Sequence, residues 1–141
     1  MKKVILLFSL SLFLFNCGDG NSSGEEKTIQ KKELKEVVIE RYSEGDKKIV
    51  GFYDGEGSNE VIVKRVHYYP QNSGGGKQKE ENYKGGKLEG KMIYYYHNGK
   101  LESFYTYENG KLNGDWKWFN TNGELIYHKI YKDDKLIETI K

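Results

Sequence analysis

The sequence predicts an all-β fold, a single-layer antiparallel meander of repeated hairpins, and three observations carry that expectation. First, the stretch from Tyr83 to Ile137 repeats itself. Gly86-Lys87-Leu88-Glu89-Gly90 returns as Gly110-Lys111-Leu112-Asn113-Gly114, and Tyr96-His97-Asn98-Gly99-Lys100-Leu101 returns as Phe119-Asn120-Thr121-Asn122-Gly123-Glu124-Leu125. The period is 24 residues, divided by turns at Gly86, Gly99, Gly110, Gly123 and Asp134 into steps of 13, 11, 13 and 11. A period in this range marks an array built from one supersecondary unit. Second, Asn98-Gly99, Asn109-Gly110 and Asn122-Gly123 are the strongest short hairpin signal, because a two-residue loop needs positive φ at both positions. Third, β-branched and aromatic residues fill the segments between turns, as strands prefer.

The N-terminus stands apart from this pattern. Lys2 and Lys3 precede an apolar run from Val4 to Phe15, too short to cross a bilayer. A basic start, a short apolar stretch and an abrupt change of character describe an export signal, residues 1–16, which is excluded from the fold. Cys17 follows at once and is the only cysteine. Leu14-Phe15-Asn16-Cys17 resembles the bacterial lipobox, with Asn16 where Gly, Ala or Ser is usual. That resemblance implies lipidation of Cys17 and a lipid anchor in the cell envelope. Gly18 in place of an aspartate favours the outer membrane over the inner. Residues 17–30 are polar and rich in Gly and Ser, a tether with a reach of roughly 20 Å, and residues 31–141 carry the β-meander.

Taking Lys2 and Lys3 from the 23 basic residues leaves as many as the 21 acidic ones. A near-neutral mature chain gives no footprint for nucleic acid and no polybasic signal beside the lipid. With one cysteine there is no intrachain disulfide, so the exported domain must be held by its sheet.

Along residues 31–141, Lys31 to Lys35 fits helix or strand, while Glu36 to Tyr42, Ile49 to Tyr53, Val61 to Tyr69 and Lys79 to Tyr83 read as strands. Ser43 to Asp46, Asp54 to Asn59 and Pro70 to Lys77 supply turn chemistry. Residues 36–75 read as degenerate copies of the unit that is clear over 76–137. If each Asn-Gly is a two-residue loop, Tyr96 faces Leu101, Tyr94 faces Ser103 and Met92 faces Tyr105. The next hairpins pair Tyr107 with Leu112, Ser103 with Trp116, Leu101 with Trp118, Trp118 with Tyr127 and Gly114 with Tyr131. The same register sets Glu80 opposite Lys91, Glu102 opposite Lys117, Glu108 opposite Lys111, Lys129 opposite Glu138 and His128 opposite Thr139. One face then collects Tyr94, Tyr105, Trp116, Trp118 and Tyr127, and Gly90 and Gly114 leave room for the rings of Tyr107 and Tyr131.

The pattern aromatic-x-x-Gly-Lys-Leu-x-Gly-x-(Trp/Met)-x-(Trp/Tyr)-(Tyr/Phe), in Tyr83 to Tyr95 and again in Tyr107 to Phe119, resembles the bacterial variant of the MORN repeat. The resemblance implies a meander curled into an elongated trough and a role as scaffold or interaction surface. Some bacterial relatives are described as antitoxins.

No enzyme signature stands beside this. His67, His97 and His128 are the only histidines, and no HExxH, CxxC or paired metal spacing surrounds them. Gly74-Gly75-Gly76-Lys77 is followed by Gln78, where a phosphate loop needs Ser or Thr and then a helix. No GxSxG elbow occurs. The expectation is a non-enzymatic binding or scaffold module without metal or cofactor, working through Tyr94, Tyr105, Trp116, Trp118 and Tyr127. It meets the membrane through its lipid, and a protein partner or an envelope glycan through the rings. An antitoxin or immunity-type protein is the alternative. Edge strands of the sheet invite a homodimer.

Overall fold

The computed structural model describes residues 32–141. The export signal, Cys17 and the tether expected within residues 1–30 lie outside the described residues. Ten strands follow in order: β1 Lys35–Arg41, β2 Lys47–Asp54, β3 Val61–Tyr68, β4 Lys77–Lys84, β5 Lys87–Leu88, β6 Gly90–Tyr95, β7 Leu101–Glu108, β8 Lys111–Phe119, β9 Leu125–Lys132 and β10 Lys135–Thr139. They form one open antiparallel sheet in meander order, with β5 and β6 as two halves of one crossing, both against β4. The strands within residues 36–75 and those within 76–137 belong to the same sheet. Short 3-10 turns, Gly57–Asn59 and Gln71–Ser73, sit in the two long loops.

The hairpin loops differ between the two rims of the sheet. On one rim Gly85-Gly86, Asn109-Gly110 and Asp133-Asp134 all have positive φ at both residues, the two-residue loop that matches strand twist. Adjacent loops on this rim are bonded: Gly110 N–H donates to the Leu88 carbonyl (2.9 Å) and Asp134 N–H to the Leu112 carbonyl (3.0 Å). On the other rim Asn98 and Asn122 are not left-handed, and in the loops after Tyr42, Tyr96 and Asn120 only Gly45, Gly99 and Gly123 are. There the N–H of Gly45, Gly99 and Gly123 donates to the carbonyl of Tyr42, Tyr96 and Asn120, and these residues donate in turn to the carbonyls of Asp46, Lys100 and Glu124. That is a three-residue loop closed by a left-handed glycine. The expected two-residue loops at Asn98-Gly99 and Asn122-Gly123 are therefore corrected. The Asn98 side chain accepts from Lys100 N–H (3.0 Å), and Asn120 accepts from Asn122 and Glu124 N–H (3.0 Å each), which favours the wider loop.

Three tyrosines lock this rim. The hydroxyls of Tyr42, Tyr69 and Tyr96 donate to the backbone carbonyls of Tyr68, Tyr95 and Phe119 at 2.9, 2.8 and 2.7 Å. Each ties the start of one loop to the strand end at the next. Asn120 occupies the fourth such position and bonds within its own turn instead.

The register holds in part. Met92 faces Tyr105, Tyr94 faces Ser103, Tyr107 faces Leu112, Trp118 faces Tyr127 and Gly114 faces Tyr131. The wider loops set Tyr95, not Tyr96, opposite Leu101. Between Leu112 and Trp116 strand β8 carries two more residues than β7 opposite, so Ser103 faces Trp118 and Phe104 faces Lys117, in place of Ser103 with Trp116, Leu101 with Trp118 and Glu102 with Lys117. The same two-residue excess lies between Leu88 and Ile93, so Glu80 faces Ile93 rather than Lys91. Gly90 (φ 76°) and Gly114 (φ 112°) sit in these bulges. An ideal Cβ at Gly90 would meet nothing within 4 Å and one at Gly114 only Thr106. These glycines serve the backbone conformation, not the seating of a tyrosine ring. A further irregularity at Ile137 places Thr139, not Glu138, opposite Lys129, and His128, instead of facing Thr139, donates its N–H to the Lys141 carbonyl (2.8 Å) and accepts from Ile140 N–H (2.8 Å).

The core is a transverse row. Val38, Val50, Val66, Glu80, Ile93, Phe104, Lys117 and His128 face one another in turn across eight crossings. Val50 and Val66 are fully buried, and Met92 is buried from the opposite face.

A candidate binding face of stacked rings

The opposite face carries the residues singled out from sequence, and the strands bring all five together. Tyr94 meets Tyr105 edge-on (5.9 Å between centroids), Tyr105 stacks on Trp116 (5.7 Å), Trp116 on Tyr127 (6.2 Å) and Tyr127 on Trp118 (5.4 Å). This is one continuous ladder across β6, β7, β8 and β9. Each contact of this kind adds about 0.5–1.5 kcal/mol beyond area burial. The ladder survives the register corrections because an excess of two residues returns a strand to the same face. Cations cap its flanks: Lys129 Nζ lies 5.0 Å from the Trp116 ring and Lys79 Nζ 6.0 Å from Tyr94. The rings are only half-buried, and Tyr127 is 45% exposed. The indole N–H of Trp116 is buried and has no acceptor.

Beside the ladder lies a carboxylate cluster that sequence reasoning missed. Glu81 is buried and accepts from Lys79 Nζ (2.8 Å), His67 Nε2 (3.1 Å) and the Tyr83 hydroxyl (3.1 Å). Burial alone pushes the Glu81 carboxyl up, and these donors more than offset it, leaving it below the usual carboxylate range. Its neighbour Glu80 is buried on the other face, held by Lys64, by Lys77 (2.7 Å) and by the Tyr95 hydroxyl (3.1 Å). Glu80 is lowered to about 2 despite desolvation. Burial depresses His67 and raises Tyr105 and Tyr107. These carboxylates are paired in place and tie strands together.

The other two histidines are also engaged. His97 stacks on Tyr69 at 3.6 Å, and His128 Nε2 bonds Asp115 at 2.5 Å on the face away from the ladder. Among the described residues no group of three His, Cys, Asp or Glu side chains is placed to hold a metal, and no helix is long and apolar enough to cross a membrane.

Where the wider loops return to strand, the ladder meets a cavity of about 240 Å³ lined by Tyr69, Gln78, Lys79, Tyr94 and Glu102. Two bulges shape it. Gln78 is the unmatched residue between Lys77 and Lys79, and Glu102 the one between Leu101 and Ser103. Bulges re-aim side chains in this way. Gln78 and Glu102 are 24 residues apart, so the repeat spacing was the sequence signal for them.

No protein-family model matches the chain, and no curated protein or solved structure matches it.

Proposed function

We propose that this protein is a lipid-anchored module of the cell envelope that binds or scaffolds a partner, without catalysis, through the ring ladder of Tyr94, Tyr105, Trp116, Trp118 and Tyr127. The observation that carries the reading is the ladder itself: five rings in contact on one face of a single sheet, with Tyr127 nearly half exposed. A single layer cannot cover both of its faces, and exposed aromatic patches mark interaction sites. Tyrosine and tryptophan also dominate the energetics of protein interfaces. The resemblance of Tyr83 to Tyr95 and Tyr107 to Phe119 to bacterial MORN repeats supports a scaffold role. The lipobox-like Leu14-Phe15-Asn16-Cys17 supports the anchor.

The test is capture on intact envelopes with wild type and Trp118→Ala. A partner bound by the wild type should bind the variant at least tenfold more weakly, as loss of a central aromatic anchor costs about 2 kcal/mol or more. A variant with unchanged circular dichroism that captures the same partners equally well removes the proposal. The anchor is tested by intact mass: a lipid-sized increment and detergent-phase partition, both lost in Cys17→Ala, are expected.

A further inference from the structure

We propose that the cavity between Tyr69, Gln78, Lys79, Tyr94 and Glu102 is a saccharide subsite that seats one uncharged pyranose unit. The proposal deepens the binding role assigned to the ring face by naming a ligand class for the end where Tyr94 stands.

The chemistry of the lining argues for a polyol. The carboxylate of Glu102 is only half exposed, yet among the described residues it has no hydrogen-bond or ion-pair partner. Its oxygens are open to the cavity, and a ligand hydroxyl is the kind of donor they would accept from. Gln78 is exposed at the edge of the cavity and has no partner among the described residues, and its amide offers both a donor and an acceptor. Lys79 gives one N–H to Glu81, and an ammonium carries three. The lining thus holds an acceptor, a two-way amide and a donor, matching vicinal hydroxyls that both give and receive. Lys79 is already paired with Glu81, so the carboxylate of Glu102 leaves the lining without a free cation, which disfavours phosphate and other anions.

The aromatic components supply the second half of a sugar site. Tyr94 and Tyr69 are half-buried tyrosines at the cavity. Tyr69 is fixed twice, by its hydroxyl bond to the Tyr95 carbonyl and by stacking on His97. A ring held in this way needs no ordering when a ligand arrives, which removes one cost of binding. The apolar C–H face of a pyranose can lie on such a ring while its hydroxyls reach the polar groups. The cavity, about 240 Å³, has room for one sugar ring. The bulges at Gln78 and Glu102 place the two uncommitted side chains around Tyr94 from neighbouring repeats, the arrangement expected of a built subsite.

Saturation-transfer NMR on the full-length chain in detergent, with N-acetylchitotriose and maltotriose as probes, tests this. Transfer to the ring protons of at least one trisaccharide is expected, with affinity on the order of millimolar for a ligand of this size. The signal should fall at least tenfold in Glu102→Gln and in Gln78→Ala. It should persist in Lys135→Ala, on the exposed strand β10 outside both the ladder and the cavity. No transfer to either sugar from the folded protein overturns the proposal. Transfer that is unchanged in Glu102→Gln and Gln78→Ala overturns it as well, by placing the sugar elsewhere. Partner capture that still depends on Trp118 in the absence of sugar binding would sink the subsite alone and leave the binding face standing.

Discussion

At the scale of single residues, the adjacent carboxylates Glu80 and Glu81 set the acid response. Each is buried on its own face of β4 and bound by donors from its own and neighbouring strands. Glu80 titrates near 2 in the folded chain against an ordinary 4.5, so folding binds fewer protons there than unfolding. A depressed carboxylate stabilises the fold above its unfolded pKa and loses that contribution as the pH falls through the folded one. Urea midpoints should therefore hold down to about pH 5 and decline towards pH 2, and Glu80→Gln should flatten part of that decline. The tyrosine clamps belong to the same scale. Tyr69→Phe deletes one hydroxyl bond to the Tyr95 carbonyl and should cost about 1 kcal/mol by chemical denaturation. Neither carboxylate was legible as a structural centre in the sequence. Glu80 and Glu81 sit in the polar run Lys77-Gln78-Lys79-Glu80-Glu81-Asn82, and only the third dimension separates a buried member from a solvated one.

At the scale of elements, identical dipeptides have different jobs. Asn109 is left-handed (φ 52°) and Asn98 is not, because the first closes a two-residue loop and the second sits inside a three-residue one. Asn109→Ala should accordingly lose about 1 kcal/mol from backbone strain, whereas Asn98→Ala forfeits only the side-chain bond to Lys100 N–H. Thermal melts of the two variants separate the cases. Gly114 is a stronger test: at φ 112° any side chain is strained, while a Cβ would only touch Thr106 at 3.4 Å. Gly114→Ala should destabilise by about 1–2 kcal/mol. Turn positions were readable because glycine spacing records them directly. Bulges were not, because an added residue changes pairing without changing the composition of a strand. The motif Gly-Lys-Leu-x-Gly encodes both devices, with a turn at its first glycine and a bulge at its last.

At the scale of the whole molecule, what the sequence made legible was parity. Whether Trp116 faces Ser103 or Tyr105, it lies on the same side, so the five-ring ladder was foreseeable while several of its partners were not. The sheet is also quasi-one-dimensional, each strand pairing only with its neighbours. Its stability should then be graded. Amide exchange should be slowest in β2, β3 and β4, around Val50, Val66, Glu80 and Glu81, and fastest in β10, where every residue is exposed. Uniform protection across the sheet would contradict this.

The rim with the wider loops has a consequence for how such a chain can change. After Tyr42 and Tyr96 the loop spans three residues, but after Tyr69 it runs through Pro70 to Gly75 before Tyr69 N–H closes on the Gly76 carbonyl. Tyr69 keeps the same hydroxyl bond to the next strand end as the other two. Loop length is thereby uncoupled from strand placement along this rim. New recognition sequence can be spliced in above a fixed tyrosine, next to the aromatic face, while the sheet beneath keeps its register. The rim serves as a row of sockets, and variation among related chains should concentrate there.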